Sequence, residues 1–219
     1  MRRFPCMAGN GEAPVQGDER GLLERSREMA AIDAAVAGIA DGSGGRALLI
    51  TGPPGIGKTS LLAAARRSSA DAGFTVLDAR GGPLERDLPH AIVRRLLERS
   101  AHDGNGDVYR GFAGLARPLF DPIGPGGKRS PLPERDELCH AVYWMLINLA
   151  AAGPLALLVD DAHDGDDASL AVIAYVASRI EPVDALMIVA SRVVSPPIPP
   201  LAAVAEVAGP AAARLISIQ

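Results

Sequence analysis

The sequence reads Gly52-Pro53-Pro54-Gly55-Ile56-Gly57-Lys58-Thr59 directly after a short apolar run, and this stretch fits the pattern G-x-x-x-x-G-K-[ST] at every specified position. Glycines in such a loop let the backbone take positive φ and approach phosphates, so that successive N–H groups line an anion-sized hollow. Lys58 is then placed to reach the β and γ phosphates, the Thr59 hydroxyl to ligate magnesium, and Ser60 to stand in the first helical turn. We therefore expect a nucleoside triphosphate site.

The residues on either side of the loop strengthen this prediction. Residues 46–51 form an apolar run typical of a strand, and Thr59 to Ser69 reads as a helix, so the order is strand, loop, helix. The other glycine-lysine segment, residues 126–129, has Pro122 and Arg129 at the positions that the pattern reserves for glycine and for Ser or Thr. We interpret that second segment as a solvated loop.

Length and charge limit the classes of protein that this chain can be. A chain of 219 residues suits one α/β domain with a single core. The 22 basic residues are scattered among 26 acidic ones, for a net charge of −4, so direct DNA binding by this chain is not expected. Cys6 and Cys139 follow no ligand pattern and fit reduced thiols in a cytoplasmic protein.

No membrane contact is expected either, because the longest apolar stretch, residues 146–159, is interrupted and falls short of the roughly 20 residues that span a bilayer. The residues before position 21 lack the apolar core of a signal peptide. We expect residues 1–20 to form a disordered tail and residues 21–219 to form the folded core.

Apolar periodicity predicts alternating helices and strands along that core. Helices are expected at 22–39, 89–99, 134–152 and 168–180, with strands at 74–78, 155–159, 185–190 and 214–218. Residues 101–133 are rich in Gly, Pro and Asp and predict a long, partly helical excursion with Phe112, Leu115, Leu119 and Phe120 as anchors. Residues 196–200 predict a stiff connection. Such alternation favours a doubly wound parallel sheet that binds ligands beyond the carboxyl ends of its strands.

Two adjacent carboxylates, Asp160 and Asp161, follow the apolar run Leu155 to Val159. An acid in this position holds magnesium beside the Ser or Thr of a phosphate loop, and we assign that role to Asp160 together with Thr59. Asp161 is a candidate for orienting or deprotonating the attacking water, although acids at a strand end also serve as helix N-caps. His163 fits a loop hydrogen bond better than a metal ligand.

Arg192 follows the next apolar run and is a further candidate for the site. At the end of a parallel strand its planar guanidinium would face the γ-phosphate and bind it in a bidentate manner. The alternative is an ordinary surface arginine.

These features together resemble the N-terminal ATPase module of the large ATP-binding LuxR-type transcriptional regulators, relatives of the AAA proteins. The similarity rests on Leu22 to Arg25 with Glu28, the phosphate loop, residues 84–89, Asp160 to His163, and Ser191 with Arg192. It implies a P-loop NTPase fold with ATP and Mg²⁺ as cofactors, residues 22–25, among them Leu23 and Arg25, around the adenine, and Arg192 as the first sensor. The residues themselves indicate Lys58 and Asp161 as further catalytic candidates. The similarity also implies an inducer-gated switch with inducer-sensing partner domains or a homo-oligomeric assembly.

The chain departs from that family at two positions and in one larger respect. Asp164 stands where an aromatic residue is usual, and Leu23-Glu24-Arg25 replaces the usual apolar-Gly-Arg. We expect the helical lid, the sensor repeats and the helix-turn-helix of the family to be missing after the last strand. Two other functions stay open, a small-molecule kinase on the same fold and an ATP-binding scaffold without hydrolysis.

Overall fold

A computed structural model describes residues 25–102, 107–124, 127–193, 198–207 and 213–217. The expected tail 1–20, Leu22, Leu23, Cys6, Gly126 and the prolines at 196 and 197 lie outside these ranges. The helices are α1 (Ser26–Ala40), α2 (Lys58–Asp71), α3 (Ala91–His102), α4 (Arg117–Phe120), α5 (Arg135–Ala150), α6 (Asp167–Ala177) and α7 (Pro199–Val207), and the strands are β1 (Arg46–Thr51), β2 (Thr75–Arg80), β3 (Leu155–Asp160), β4 (Ala185–Ser191) and β5 (Ala213–Ser217).

The strands form one sheet in the order β2-β3-β4-β1-β5, and every pairing in it is parallel. Strands β3 and β4 are buried over nearly their whole length, as expected of continuous apolar runs covered on both faces. The sequence prediction of an α/β fold with a doubly wound parallel sheet is confirmed.

Separate apolar clusters cover the two faces of the sheet. On one face, α1 and α2 pack Ile32 and Leu61 against Ile50, Leu158 and Ile188. On the other face, the cluster joins residues of α3, α5, α6 and α7 to the opposite side of the same strands. Because both faces are covered, polar side chains are accessible mainly at the ends of the strands, and the carboxyl ends carry the phosphate loop and both acids.

The excursion before α5 is partly helical, as the sequence predicted, but not all of its expected anchors are buried. It contains two 3₁₀ segments, Asp107–Tyr109 and Gly111–Ala116, followed by α4. Of the expected anchors, Leu119 is fully buried, but Phe112 and Leu115 are each 42% exposed, and Ala113 and Ala116 are buried instead. Small side chains fit here because the segment packs directly on α5, where the Asn148 amide donates to the carbonyls of Val108 and Arg110.

Helix α7 was missed by the sequence analysis, which interpreted residues 196–200 as a stiff connection. The helix begins at Pro199, and Pro200 follows in its first turn. Proline is tolerated there because a first-turn N–H has no intrahelical partner. Leu201 and Val204 of α7 are buried in the core, which explains why the chain turns back here.

Candidate functional site

The loop of residues 52–57 connects β1 to α2 and has the backbone of an anion-binding hollow. Gly55 and Gly57 have φ of 76° and 98°, and a Cβ built on either glycine meets no atom within 4 Å, so the space beside them is open. No described side chain caps the N-terminus of α2. The first N–H groups of the helix are therefore available to an anion, and the helix dipole favours negative charge there.

Lys58 lies across this loop and is 7% exposed. Its ammonium donates to the carbonyl oxygens of Gly52 and Pro53, each at 2.9 Å. Burial lowers the pKa of Lys58, the negative charge of Asp161 opposes that effect, and the charge of Arg192 adds to it. The ammonium is thus held at the loop, within the electrostatic reach of groups at the ends of β3 and β4.

Thr59 and Asp160 meet at the end of β3. The Thr59 hydroxyl donates to Asp160 Oδ2 at 2.8 Å, and the Asp161 N–H donates to Asp160 Oδ1 at 2.9 Å. A cavity of about 320 Å³ that is lined in part by Thr59, Asp160 and Arg80 opens beside them. Hydroxyl and carboxylate oxygens are hard ligands, so this pair fits a divalent cation such as Mg²⁺.

Asp161 has a left-handed backbone, with φ of 45° and ψ of 42°, and stands at the start of the 3₁₀ turn Ala162–Asp164. Its side chain makes no capping hydrogen bond, which contradicts the interpretation as a helix N-cap. Asp161 Oδ2 instead accepts two hydrogen bonds from Arg80, from Nε at 2.9 Å and from Nη2 at 2.6 Å. The carboxylate is 16% exposed, so it stays within reach of the site.

Arg80 reaches Asp161 because of the register between β2 and β3. Arg80 pairs with Asp160, and the next residue, Gly81, donates its N–H to the Asp160 carbonyl at 2.9 Å. A Cβ on Gly81 would lie 2.4 Å from the Asp161 carbonyl oxygen, so only glycine allows the two segments to approach this closely. Arg80 was not predicted from the sequence, where its one signal is its place at the end of strand β2.

Arg192 follows β4, which lies between β1 and β3 in the sheet. This strand order puts Arg192 between the phosphate loop and the two acids, and the positive charge of Arg192 lowers the pKa of both Lys58 and His163. Its side chain is exposed, and its backbone N–H donates to His163 Nδ1 at 3.3 Å.

Of the predicted adenine contacts, Arg25 reaches the phosphate loop, where its guanidinium donates to the Ile56 carbonyl at 2.8 Å. Leu23 lies outside the described residues. Ser60 is half-buried in the first turn of α2, and Pro53 and Pro54 are exposed at the loop surface.

A second residue that the sequence analysis missed is Asp166, which is 2% exposed. Its Oδ1 accepts from the N–H groups of His90 and Ser169, at 2.7 and 2.8 Å, and its Oδ2 accepts from Ala91 at 3.0 Å. One carboxylate therefore caps both α3 and α6. His90 and Ala91 contact Asp166 in the fold but lie far from it in the sequence. No local sequence pattern could therefore reveal the double role.

The family model described as AAA ATPase domain matches residues 21–189, which include the loop, both acids and all of β3. The match ends three residues before Arg192. No curated protein matches the chain significantly. Within the described ranges, none of the helices has the length and apolar character needed to cross a membrane.

Proposed function

This chain belongs to the AAA ATPase domain family, and from that premise we propose that it is the ATP-binding, slowly hydrolysing switch domain of a LuxR-type transcriptional regulator. The α/β P-loop NTPase fold of the chain presents the required groups at one edge of its sheet. The observation that carries the proposal is the hydrogen bond between Thr59 and Asp160 next to the phosphate loop. Lys58 already donates to a carbonyl of that loop.

Binding of ATP is assigned to residues 52–60. The N–H groups of the loop and of the first turn of α2 would hold the β and γ phosphates. Lys58 would exchange two carbonyl partners for phosphate oxygens, which are stronger partners for an ammonium because they are charged. Thr59 and Asp160 would hold Mg²⁺, which when bound offsets the negative charge of the phosphates.

Hydrolysis is assigned to Asp161. The oxygen of a water molecule attacks the γ-phosphorus, the bond from that phosphorus to the β–γ bridging oxygen breaks, and a proton of the water passes to the Asp161 carboxylate. Arg192 and Lys58 would stabilise the charge on the transferred phosphoryl group. Arg80 donates to Oδ2 of this carboxylate and so restrains it.

Turnover by the chain alone should be slow, well below the roughly 10 s⁻¹ that is typical of enzymes. An arginine supplied from outside the site contributes about 10³- to 10⁵-fold in related NTPases, and the proposed site has only Lys58 and Arg192 at the γ-phosphate. A partner domain or a second copy of the chain is the proposed source of the missing charge.

Two substitutions at the strand end test these assignments. Asp160→Ala should abolish the tightening of ATP binding by magnesium, measured by titration calorimetry with and without the ion. Asp161→Asn should leave that binding nearly intact and lower steady-state phosphate release. Binding without any magnesium-dependent release of phosphate in the unsubstituted chain would favour the scaffold alternative.

The regulator part of the proposal is supported by the resemblance described above rather than by a further contact. The net charge of −4 implies that DNA contact belongs to another part of such a regulator. The purified chain should therefore give no gel shift with duplex DNA at about 150 mM salt. A reading frame that also encodes a helix-turn-helix beyond Gln219 would support the assignment, and a frame that encodes a different kind of domain there would contradict it.

A further inference from the structure

We propose that His163 is a positioning residue that fixes Arg192 at the edge of the nucleotide site through the backbone of Arg192. This inference deepens the proposed ATPase function and rests on it. His163 belongs to the 3₁₀ turn that follows β3, whereas Arg192 follows the neighbouring strand β4. The contact thus joins the ends of two adjacent strands at the point where the candidate catalytic groups lie.

The pairing of the strands explains why Arg192 needs a partner of this kind. The ladder between β1 and β4 ends at the pair Thr51 and Ser191, so Arg192 is the first residue beyond the sheet. Its N–H donates to His163 Nδ1 at 3.3 Å, and its carbonyl accepts from the Ser191 hydroxyl at 3.0 Å. The His163 imidazole, which lies outside β4, thus fixes the backbone of Arg192 and with it the origin of the Arg192 side chain.

The contact defines the protonation state of the imidazole. Because Nδ1 faces an N–H donor, it must be the unprotonated nitrogen, and the single proton is assigned to Nε2. Nε2 has no hydrogen-bond partner among the described residues, and Asp164 Oδ2 lies 3.5 Å from it. Burial lowers the pKa of His163, the charges of Arg192 and Lys58 act in the same direction, and Asp164 and Asp161 oppose them. A neutral imidazole at pH 7 can therefore accept the hydrogen bond.

The turn that carries His163 is itself held from two sides. Arg86, in the segment between β2 and α3, donates to Asp164 Oδ1 at 2.6 Å and to the His163 carbonyl at 3.2 Å. The Asp164 N–H donates to the Asp161 carbonyl at 2.9 Å. One short turn therefore holds the backbones of both Asp161 and Arg192, and a change at His163 reaches Arg192 without moving the phosphate loop.

The test compares His163→Leu, which removes the acceptor, with His163→Asn, whose amide oxygen can replace Nδ1. We expect His163→Leu to lower the rate of phosphate release about 10- to 100-fold, the scale of a small misplacement, while the Kd for ATP changes less than about twofold. His163→Asn should keep most of the rate. In an Arg192→Ala background, His163→Leu should cause no further loss of rate, because both changes remove the same contribution of the Arg192 side chain to phosphate release. The exposed His102→Leu is the matched control.

Two readouts separate positioning from a purely structural role. The rate of the unsubstituted chain should fall once the pH drops below the pKa of His163, which burial holds below the ordinary imidazole value near 6.5, because a protonated imidazole cannot accept from Arg192. The Asn variant should lack this acid limb. Hydrogen exchange of the Arg192 amide should be faster in His163→Leu than in His163→Asn, whether or not the chain turns over. The proposal would be overturned if the Arg192 amide exchanged equally fast in His163→Leu and His163→Asn. It would also be overturned if His163→Leu lowered the rate equally in the presence and in the absence of the Arg192 side chain. Altered exchange in a chain that releases no phosphate would instead refute the ATPase function and leave the contact standing.

Discussion

Arg80 places two of its N–H groups on a single oxygen of Asp161, so the carboxylate that is the candidate proton acceptor is occupied by a guanidinium at the neighbouring strand end. The side chain of Arg80 is 64% exposed and that of Asp161 is 16% exposed. An exposed guanidinium can leave the carboxylate at a small cost in free energy, because exposed ion pairs contribute only about 0.2–1 kcal/mol to stability. The pair therefore restrains Asp161 without burying it.

The first prediction is that Arg80→Gln raises the rate of phosphate release by about 1.4- to fivefold. The free-energy range for an exposed pair corresponds to that factor in rate once the carboxylate is free to accept a proton. The matched control is Arg66→Gln, which breaks the exposed ion pair with Asp78 on the same side of the sheet and should leave the rate unchanged. A fall in the rate of Arg80→Gln would mean that Arg80 orients the base rather than restrains it.

The second prediction concerns the phosphate loop. Lys58→Ala should weaken ATP binding by about 10- to 100-fold, since a charge-assisted hydrogen bond contributes about 1.5–3 kcal/mol. Lys128, the other lysine of the chain, is exposed in a distant turn, so Lys128→Ala supplies the control for loss of a positive charge. Titration calorimetry on both variants gives the answer, and equal affinities would remove the loop from the proposed mechanism.

The sequence predicted the sheet and the loop well because each depends on local information. A continuous apolar run such as Leu155 to Val159 is typical of a strand in a parallel sheet that is covered on both faces. The glycines before Lys58 indicate a loop whose backbone takes positive φ to approach a phosphate. The expected strands were found within two residues of their predicted bounds.

The sequence predicted that Thr59 and Asp160 meet, but it could not predict the order of the strands or the register that brings Arg80 to the site. The order of strands puts β4 between β1 and β3, and the register of β2 brings Arg80 to Asp161. Both are properties of the whole sheet and leave no trace in the spacing of residues. Similarly, nothing near Asp166 in the sequence indicates its double role, because its cap on α3 depends on a contact 75 residues away.

The third prediction follows from that double cap. Asp166→Ala should lower the free energy of unfolding by about 1–4 kcal/mol, because each helix N-cap contributes about 0.5–2 kcal/mol and the change removes two. The neighbouring Asp167 is exposed in the first turn of α6, so Asp167→Ala should lose only its interaction with the helix dipole, about 0.3–1 kcal/mol. Chemical denaturation of both variants measures the difference. Similar losses would show that the buried carboxylate does not cap α3.

The fourth prediction is that the free energy of unfolding decreases as the pH falls below about 6.5, through the buried His163 and the half-buried His90. Burial lowers the pKa of His90 and of His163 from the ordinary value near 6.5, and nearby carboxylates, Asp166 for His90 and Asp164 for His163, only partly oppose it. The folded state thus favours neutral imidazoles, whereas the unfolded chain binds protons at the ordinary pKa.

The sign of the effect follows from proton linkage. Below about pH 6.5 the unfolded state binds more protons than the folded state, so this part of the stability is fully present above that pH and is lost as the pH falls through the folded-state pKa of each histidine. The double variant His90→Asn, His163→Asn removes both titrations, and asparagine tolerates the left-handed backbone of His90, whose φ is 65°. Between pH 7 and 5 its unfolding free energy should fall less steeply than that of the unsubstituted chain, while the exposed variant His102→Gln should follow the unsubstituted chain. Parallel pH profiles for the double variant and the unsubstituted chain would mean that the two imidazoles are charged in the folded state as readily as in the unfolded one.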